Sequence, residues 1–268
     1  MICLGVLSLK LLSDLMSQKK LSQLGSRTAK RGFRSEKGIV RKFNHWREDE
    51  DAQEWFKIMD YDLRKIERVK AIIITGSHKT DVQVQVTIFL KEAIAAENLS
   101  VKLVSNPQGF NQLDKRWVDK YVAMWNIPED IAKALKLFTG EIKPKRRNLR
   151  DSRRMFLDEM DIKTQKLIVD FFTKNKILVV SDILKGNDEF PADWMMVVLK
   201  KENQNPEWYL RQINHVLNVF GSGNVRITKK GSLKIGKITM QRKGGDAGRE
   251  TSKMLQFKIN PIELFYQR

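Results

Sequence analysis

The run from Asp81 to Leu90 alternates polar and apolar residues: Asp81-Val82-Gln83-Val84-Gln85-Val86-Thr87-Ile88-Phe89-Leu90. Successive side chains of a strand point to opposite faces, so a period of two predicts a half-buried β-strand. A second run, Leu99-Ser100-Val101-Lys102-Leu103-Val104, predicts another. If the two strands are neighbours, the Asp81 carboxylate and the Lys102 ammonium project at one edge of a sheet. A carboxylate there can hold a hard divalent cation. A lysine beside it can orient a water or neutralise a phosphoryl oxygen, and together these are the minimum equipment for metal-assisted cleavage of a phosphodiester. A cross-strand surface ion pair is the commoner meaning of such a pair. Against that, Lys102 lies between Val101 and Leu103-Val104, a poor place for a merely solvated lysine. Ser100 shares its face by the period of two, as does Asn98 if the strand starts early.

Around these strands the pattern alternates between helix and strand. Ile39, Val40, Phe43 and Trp46 fall on one helical face that also carries Glu36. Further helices are predicted over 51–59, 117–125, 128–138, 151–160 and 161–174, the last with Asp161 as N-cap. Strands are predicted over 69–76, 177–180 and 194–199, and a helical or irregular link over 93–97. Asn205-Pro206 reads as a helix start, with Leu210, Ile213, Val216, Leu217 and Phe220 on one face and Gly221 as the stop. Val225 to Thr228 and Leu233 to Met240 read as a basic β-hairpin. The alternation predicts an α/β class with a mixed central sheet flanked by helices.

The 268 residues hold 50 Lys and Arg against 32 Asp and Glu, a net charge of +18. Such an excess points to a polyanionic partner. Nothing reads as a lipid anchor or a membrane helix, so nucleic acid is favoured. A lone cysteine, Cys3, excludes an internal disulfide framework and a cysteine zinc site, and it suits a reducing cytoplasm. The three histidines, His45, His78 and His215, are too scattered to suggest a metal cluster. Residues 1–15 form a short apolar run broken by Lys10 and Asp14; an upstream extension before a start at Met16 and an extra amphipathic helix fit it equally.

Three further segments are candidates for function. Asn106-Pro107-Gln108-Gly109-Phe110-Asn111-Gln112 follows the Lys102 strand. Phe110 could wedge into a base step while Asn111 and Gln112 read base edges; an ordinary loop with Phe110 folded into the core is the simpler alternative. Gln241-Arg242-Lys243-Gly244-Gly245-Asp246, running on to Arg249 and Glu250, puts both charge signs on a glycine-rich loop. Arg or Lys can grip guanine, and Asp or Glu can accept from cytosine. Glu36 fits either surface decoration or an auxiliary carboxylate of a metal site.

Long stretches resemble a known family. They include Leu24-Gly25-Ser26, Thr28-Ala29-Lys30, Val101-Lys102-Leu103-Val104-Ser105-Asn106, Gly109-Phe110-Asn111-Gln112, Arg153-Arg154-Met155-Phe156, Gln241 to Asp246, Gly248 to Thr251 and Met254 to Ile259. On these the chain resembles the HinP-type type II restriction endonucleases, relatives of MspI in the PD-(D/E)xK superfamily. The likeness runs from Leu24 to Phe265 and leaves residues 1–16 outside. It implies one endonuclease domain over 17–268, with a catalytic part about 24–140 and a DNA-recognition part about 141–268. It implies Mg²⁺-dependent hydrolysis of double-stranded DNA at GCGC, leaving 5′-phosphates, with no small-molecule cofactor. It assigns Asp81 to the metal and makes Lys102 the catalytic lysine; beside them a water or the Val101 carbonyl could supply a further ligand. Ser100 stands where the family has glutamine and the superfamily an acidic residue, and Thr80 stands for a serine. A serine is a shorter, weaker ligand, so a weakened or inactive GCGC-binding protein is the alternative. A structure-selective repair nuclease on the same core is a third reading. The resemblance places Phe110 and Gln112 in the minor groove and the Gln241 to Glu250 segment in the major groove. It further implies a monomer or weak dimer in a prokaryotic cytoplasm, with a separate companion methyltransferase.

Overall fold

Two apolar clusters, one on each face of a five-stranded sheet, organise the chain. The computed structural model describes residues 35–75, 82–145, 149–187, 189–202, 204–245 and 249–266. Strands β1 (Ile66–Thr75), β2 (Val82–Leu90) and β3 (Ile94–Val104) form an antiparallel meander. After β4 (Asn111–Arg116), the strands β5 (Trp194–Leu199) and β6 (Glu207–Gln212) complete that sheet in the order β1-β2-β3-β5-β6. The β3–β5 pair is parallel and the other neighbours are antiparallel, so the sheet is mixed. A second sheet, antiparallel throughout, has the order β4-β10-β9-β8-β7, built from β7 (Val225–Ile227), β8 (Leu233–Ile235), β9 (Ile238–Arg242) and β10 (Leu255–Ile259). Both sheets draw strands from both sides of residue 140.

The period of two decides what each face touches. Val84, Val86, Ile88, Leu99, Val101, Met196, Val198 and Leu210 enter one cluster with Phe43, Trp55 and Phe56. Those aromatics come from α1, described over 35–44, and α2 (Glu50–Ile58), whose N-terminus is capped by Asp49 accepting the Ala52 N–H. The opposite face sends Val104, Met195, Val197 and Leu199 into a larger cluster shared with the second sheet. Helices α3 (Val118–Trp125), α4 (Glu129–Thr139), α5 (Ile162–Lys174), α6 (Lys176–Leu184) and α7 (Ile213–Gly221) fill out that cluster. No helix among the described residues is long and apolar enough to cross a membrane.

Four local expectations are corrected. Residues 94–97 belong to β3 rather than to a helical or irregular link, because their partners on β2 hold them in register, Ile94 on Phe89 through Glu97 on Val86. Ile177 to Val180 is helical, within α6; Val179, Val180, Ile183 and Leu184 go inward at helical spacing while Ile177 faces out. Glu207 to Gln212 is strand β6, and the helix starts only at Ile213; pairing with β5 and the aromatic pair Trp208-Tyr209 outweigh the Asn205-Pro206 start signal. Between 151 and 160 only the turn Leu157–Glu159 is helical, of the 3-10 kind. There the Met155 and Leu157 N–H groups donate to the Leu137 and Gly231 carbonyls, so they close no α-helical turn of their own. Gly231 permits this approach: its φ is 72°, and a Cβ would stand 2.6 Å from that of Phe156.

Candidate active site

Strand β3 is the centre of its sheet, and its burial peaks over Leu99, Ser100, Val101 and Lys102. Leu99, Val101 and Leu103 pack into the cluster under α1 and α2. Asn98, Ser100 and Lys102 therefore point to the other face. The Gln85 amide donates to the Asn98 side-chain oxygen at 3.1 Å, so the polar stripe crosses to β2. Lys102 is only 4% exposed and Ser100 7%. Burying an ammonium costs several kcal/mol after relaxation, so a lysine is held there for its charge rather than its packing. The surface ion-pair alternative does not fit such burial.

The backbone adds an oxygen. In a strand, the N–H and C=O of one residue point to the same neighbour, and alternate residues point to opposite neighbours. Asn98 accepts the Asp193 N–H, and the Val104 carbonyl accepts from Lys200, so the even-numbered residues of β3 turn their backbone towards β5. The Leu103 carbonyl instead accepts from the Asn111 amide at 3.0 Å. By the same alternation the Val101 carbonyl points to the β2 side, just past the last β2–β3 pair, Gln83 with Ser100. Asp81 and Thr80 lie outside the described residues. Glu36 sits on the inward stripe of α1 with Ile39 and Phe43 and is 8% exposed, so it is not surface decoration.

The loop after β3 is held by its own polar atoms: Gly109 N–H donates to the Asn106 carbonyl, Gln108 N–H to the Asn106 side chain, and Asn260 donates to the Pro107 carbonyl. Phe110 remains 52% exposed and does not fold into the core. The Lys234 ammonium lies 5.7 Å from its ring centroid, and burial holds that ammonium below its ordinary pKa. Asn111 is committed to the Leu103 carbonyl, so it anchors the loop to β3. Gln112, the second residue of β4, stands opposite Lys258, and burial also lowers that lysine's pKa.

At the far end of the same strands, Leu255 of β10 pairs with both Arg116 and Arg242. The six residues of β4 set the two ends about 17 Å apart at strand rise. Gln241 and Arg242 are half-buried members of β9. Arg242 donates to the Ser252 carbonyl at 3.0 Å and lies 4.0 Å from Asp151. Lys243 is lowered in pKa by burial first and then by Lys115 and Arg249, so three cations share this end. Gly244 and Gly245 both have φ 62° with open space where a Cβ would go. Glu250 is exposed and paired with Lys253 at 2.8 Å; Asp246 lies outside the described residues.

The R.HinP1I restriction endonuclease family model matches residues 59–265. The chain belongs to that family. As a member of the R.HinP1I family it is a type II restriction endonuclease, and enzymes of this kind are generally metal-dependent. Among solved structures it is similar to restriction endonuclease MspI, described in complex with its cognate DNA: TM-score 0.60, 14% identity, 92% of this chain and 98% of that one covered. At such identity the likeness shows the fold. No curated protein matches the chain. Glu36 and the stretch 24–30 precede the matched span. Within this R.HinP1I-family chain, sequence reasoning missed the supports of the 241–250 segment. Gln256, 2% exposed, donates to the Arg242 and Lys243 carbonyls, and Asp151 and Ser252 fix Arg242. A buried glutamine in an apolar strand was the one visible signal.

Proposed function

We propose that this restriction endonuclease cuts double-stranded DNA at GCGC, uses Mg²⁺ and leaves 5′-phosphates. The carrying observation is the buried Lys102 on β3, 4% exposed, inside the span matched by the family. Asp81 is assigned the metal-holding carboxylate. The pairing of Gln85 with Asn98 and of Gln83 with Ser100 supports this, because it brings β2 to the end of β3 that carries Ser100 and Lys102. The Ser100 hydroxyl and Val101 carbonyl extend an all-oxygen donor set, which suits a hard divalent cation. When bound, the ion would lower the pKa of a water and offset negative charge on the phosphoryl oxygens. Lys102 orients the attacking water and balances charge that builds on the phosphate in the transition state. The 3′ oxygen departs with a proton, and the 5′ side keeps its phosphate. Glu36 is the auxiliary carboxylate.

MspI is described with its cognate DNA, which supports a duplex as the substrate here. Phe110 and Gln112 are assigned to the minor groove, and Lys243, Asp246, Arg249 and Glu250 to the major groove. The two ends of β4 lie about 17 Å apart at strand rise, half a helical turn of DNA. Surplus Lys and Arg supply affinity with little sequence information. The enzyme is assigned to a prokaryotic cytoplasm, as a monomer or weak dimer, with a separate methyltransferase protecting the host sites.

Incubating the purified protein with plasmid DNA, with Mg²⁺ or with chelator, tests the reading. Discrete fragments ending at one tetranucleotide, lost with chelator, are expected. Retention of a GCGC duplex without cutting would assign a binding protein disabled at Ser100. Cutting confined to junctions or mismatches would assign a repair nuclease.

A further inference from the structure

The segment after α4 gathers arginines around one carboxylate. Arg153 grips Asp151 with two parallel bonds, Nε at 2.9 Å and Nη2 at 3.0 Å. Arg154 Nε lies 3.5 Å from Asp151 and Arg242 Nη1 4.0 Å. Three guanidiniums thus face a single carboxylate, leaving a local positive excess. Arg154 is held over the Phe156 ring at 4.0 Å from its centroid, and its buried Nε makes no hydrogen bond among the described residues. Burial and the facing Arg242 keep the Arg154 guanidinium below its ordinary pKa. Arg153 remains 75% exposed, while Arg154 and Arg242 are largely covered, at 17% and 10%. The neighbouring turn at Gly244 and Gly245 carries no Cβ, so a ligand can approach the backbone closely.

Like charges pressed together under partial burial are destabilising until an anion arrives. The planar fork of a guanidinium matches the oxygens of a phosphate. An acidic peptide would also carry anions, but Arg242 ends the strand that leads into the segment assigned to the DNA groove, which favours nucleic acid. We propose that Arg153, Arg154 and Arg242, oriented by Asp151, form a clamp for one phosphate of the DNA backbone beside the recognition segment. This inference rests on the nuclease reading above. The clamp fixes the duplex relative to Lys243 to Glu250 and reads no base.

Two variants test it: Arg153→Ala, at an exposed position that leaves the fold intact, and Arg154→Gln. Duplex binding is measured in chelator, on a GCGC duplex and on a scrambled duplex of equal length, across roughly 50–200 mM salt. Each variant should lose on the order of tenfold in affinity, by the same factor on both duplexes. The slope of log K against log salt should become shallower by about one. In a parallel arm at fixed ionic strength, inorganic phosphate should raise the thermal midpoint of the wild type more than that of Arg153→Ala. Wild-type affinity and slope in both variants would overturn the clamp, even if inorganic phosphate still shifted the midpoint. A loss confined to the GCGC duplex would overturn it too, in favour of base reading. A wild type that cuts at one site while both variants bind normally removes the clamp alone. A wild type that binds neither duplex removes the nuclease reading with it.

Discussion

Lys102 places a charged ammonium in the middle strand of a sheet, between side chains that belong to a core. An exposed lysine would hold its water and act as a diffuse charge; this one has traded hydration for a fixed direction. Lys102→Ala is expected to cut cleavage by a hundredfold or more, about the loss seen when one oriented electrostatic or proton-transfer group is removed, while duplex binding persists. Cleavage at the wild-type rate in a single-turnover assay would remove Lys102 from the reaction. Ser100 shares its face and its burial, and a hydroxyl there is a short, neutral oxygen donor. Ser100→Gln, which lengthens the donor, should match or exceed wild-type cutting under the same assay. A large drop would mean that the pocket is shaped around the serine. Glu36 was legible as a candidate because a phosphodiester-cutting metal site often needs a second carboxylate. Its burial follows from its place on an apolar helical stripe, because positions 36, 39 and 43 recur on one face of a helix.

Local signals read well where they close locally. Asp161 was expected to cap α5, and its carboxylate accepts the Thr164 N–H at 2.9 Å. Asp161→Ala should lower the urea midpoint of unfolding and leave cleavage unchanged. Signals failed where a neighbour far along the chain supplied the partner. Asn205-Pro206 looks like a helix start, yet Leu210 pairs with Met196 in β6 and the helix waits for Ile213. Residues 151–160 have helical composition, yet their backbone donors go to Leu137 and Gly231. That same segment sets up a pH dependence. The Arg153 bonds, chiefly, hold the Asp151 carboxyl at about 2, below its ordinary value. A carboxyl lowered on folding stabilises the fold above its unfolded pKa near 4 and loses that contribution as pH falls towards 2. The stability difference between wild type and Asp151→Asn should therefore be present at pH 6 and shrink between pH 4 and 3. A gap that stays constant over that range, measured by thermal unfolding, would rule the linkage out.

The net charge of +18 acts on the whole molecule. Affinity for unrelated duplex DNA should fall linearly in log K against log salt, with a slope set by the number of phosphates neutralised. A flat response would assign the charge to some other partner. The two sheets explain how one chain can hold both a cutting strand and a reading loop. The chain leaves the sheet of Lys102 through the Phe110 loop and enters the second sheet as β4, so the two sites share a rigid path. The strands β2, β3 and β5, the helices α2 to α5 and the basic surplus were legible in the chain, because period, capping and charge are properties of neighbouring residues. The joining of β4 and β10 to the predicted hairpin strands, strand β6, helix α6, the outward turn of Phe110 and the arginines around Asp151 were not. Each depends on which distant segment arrives to fill a face or accept a hydrogen bond, and tertiary contact alone makes that choice, since a short apolar run satisfies a helix and a strand equally well.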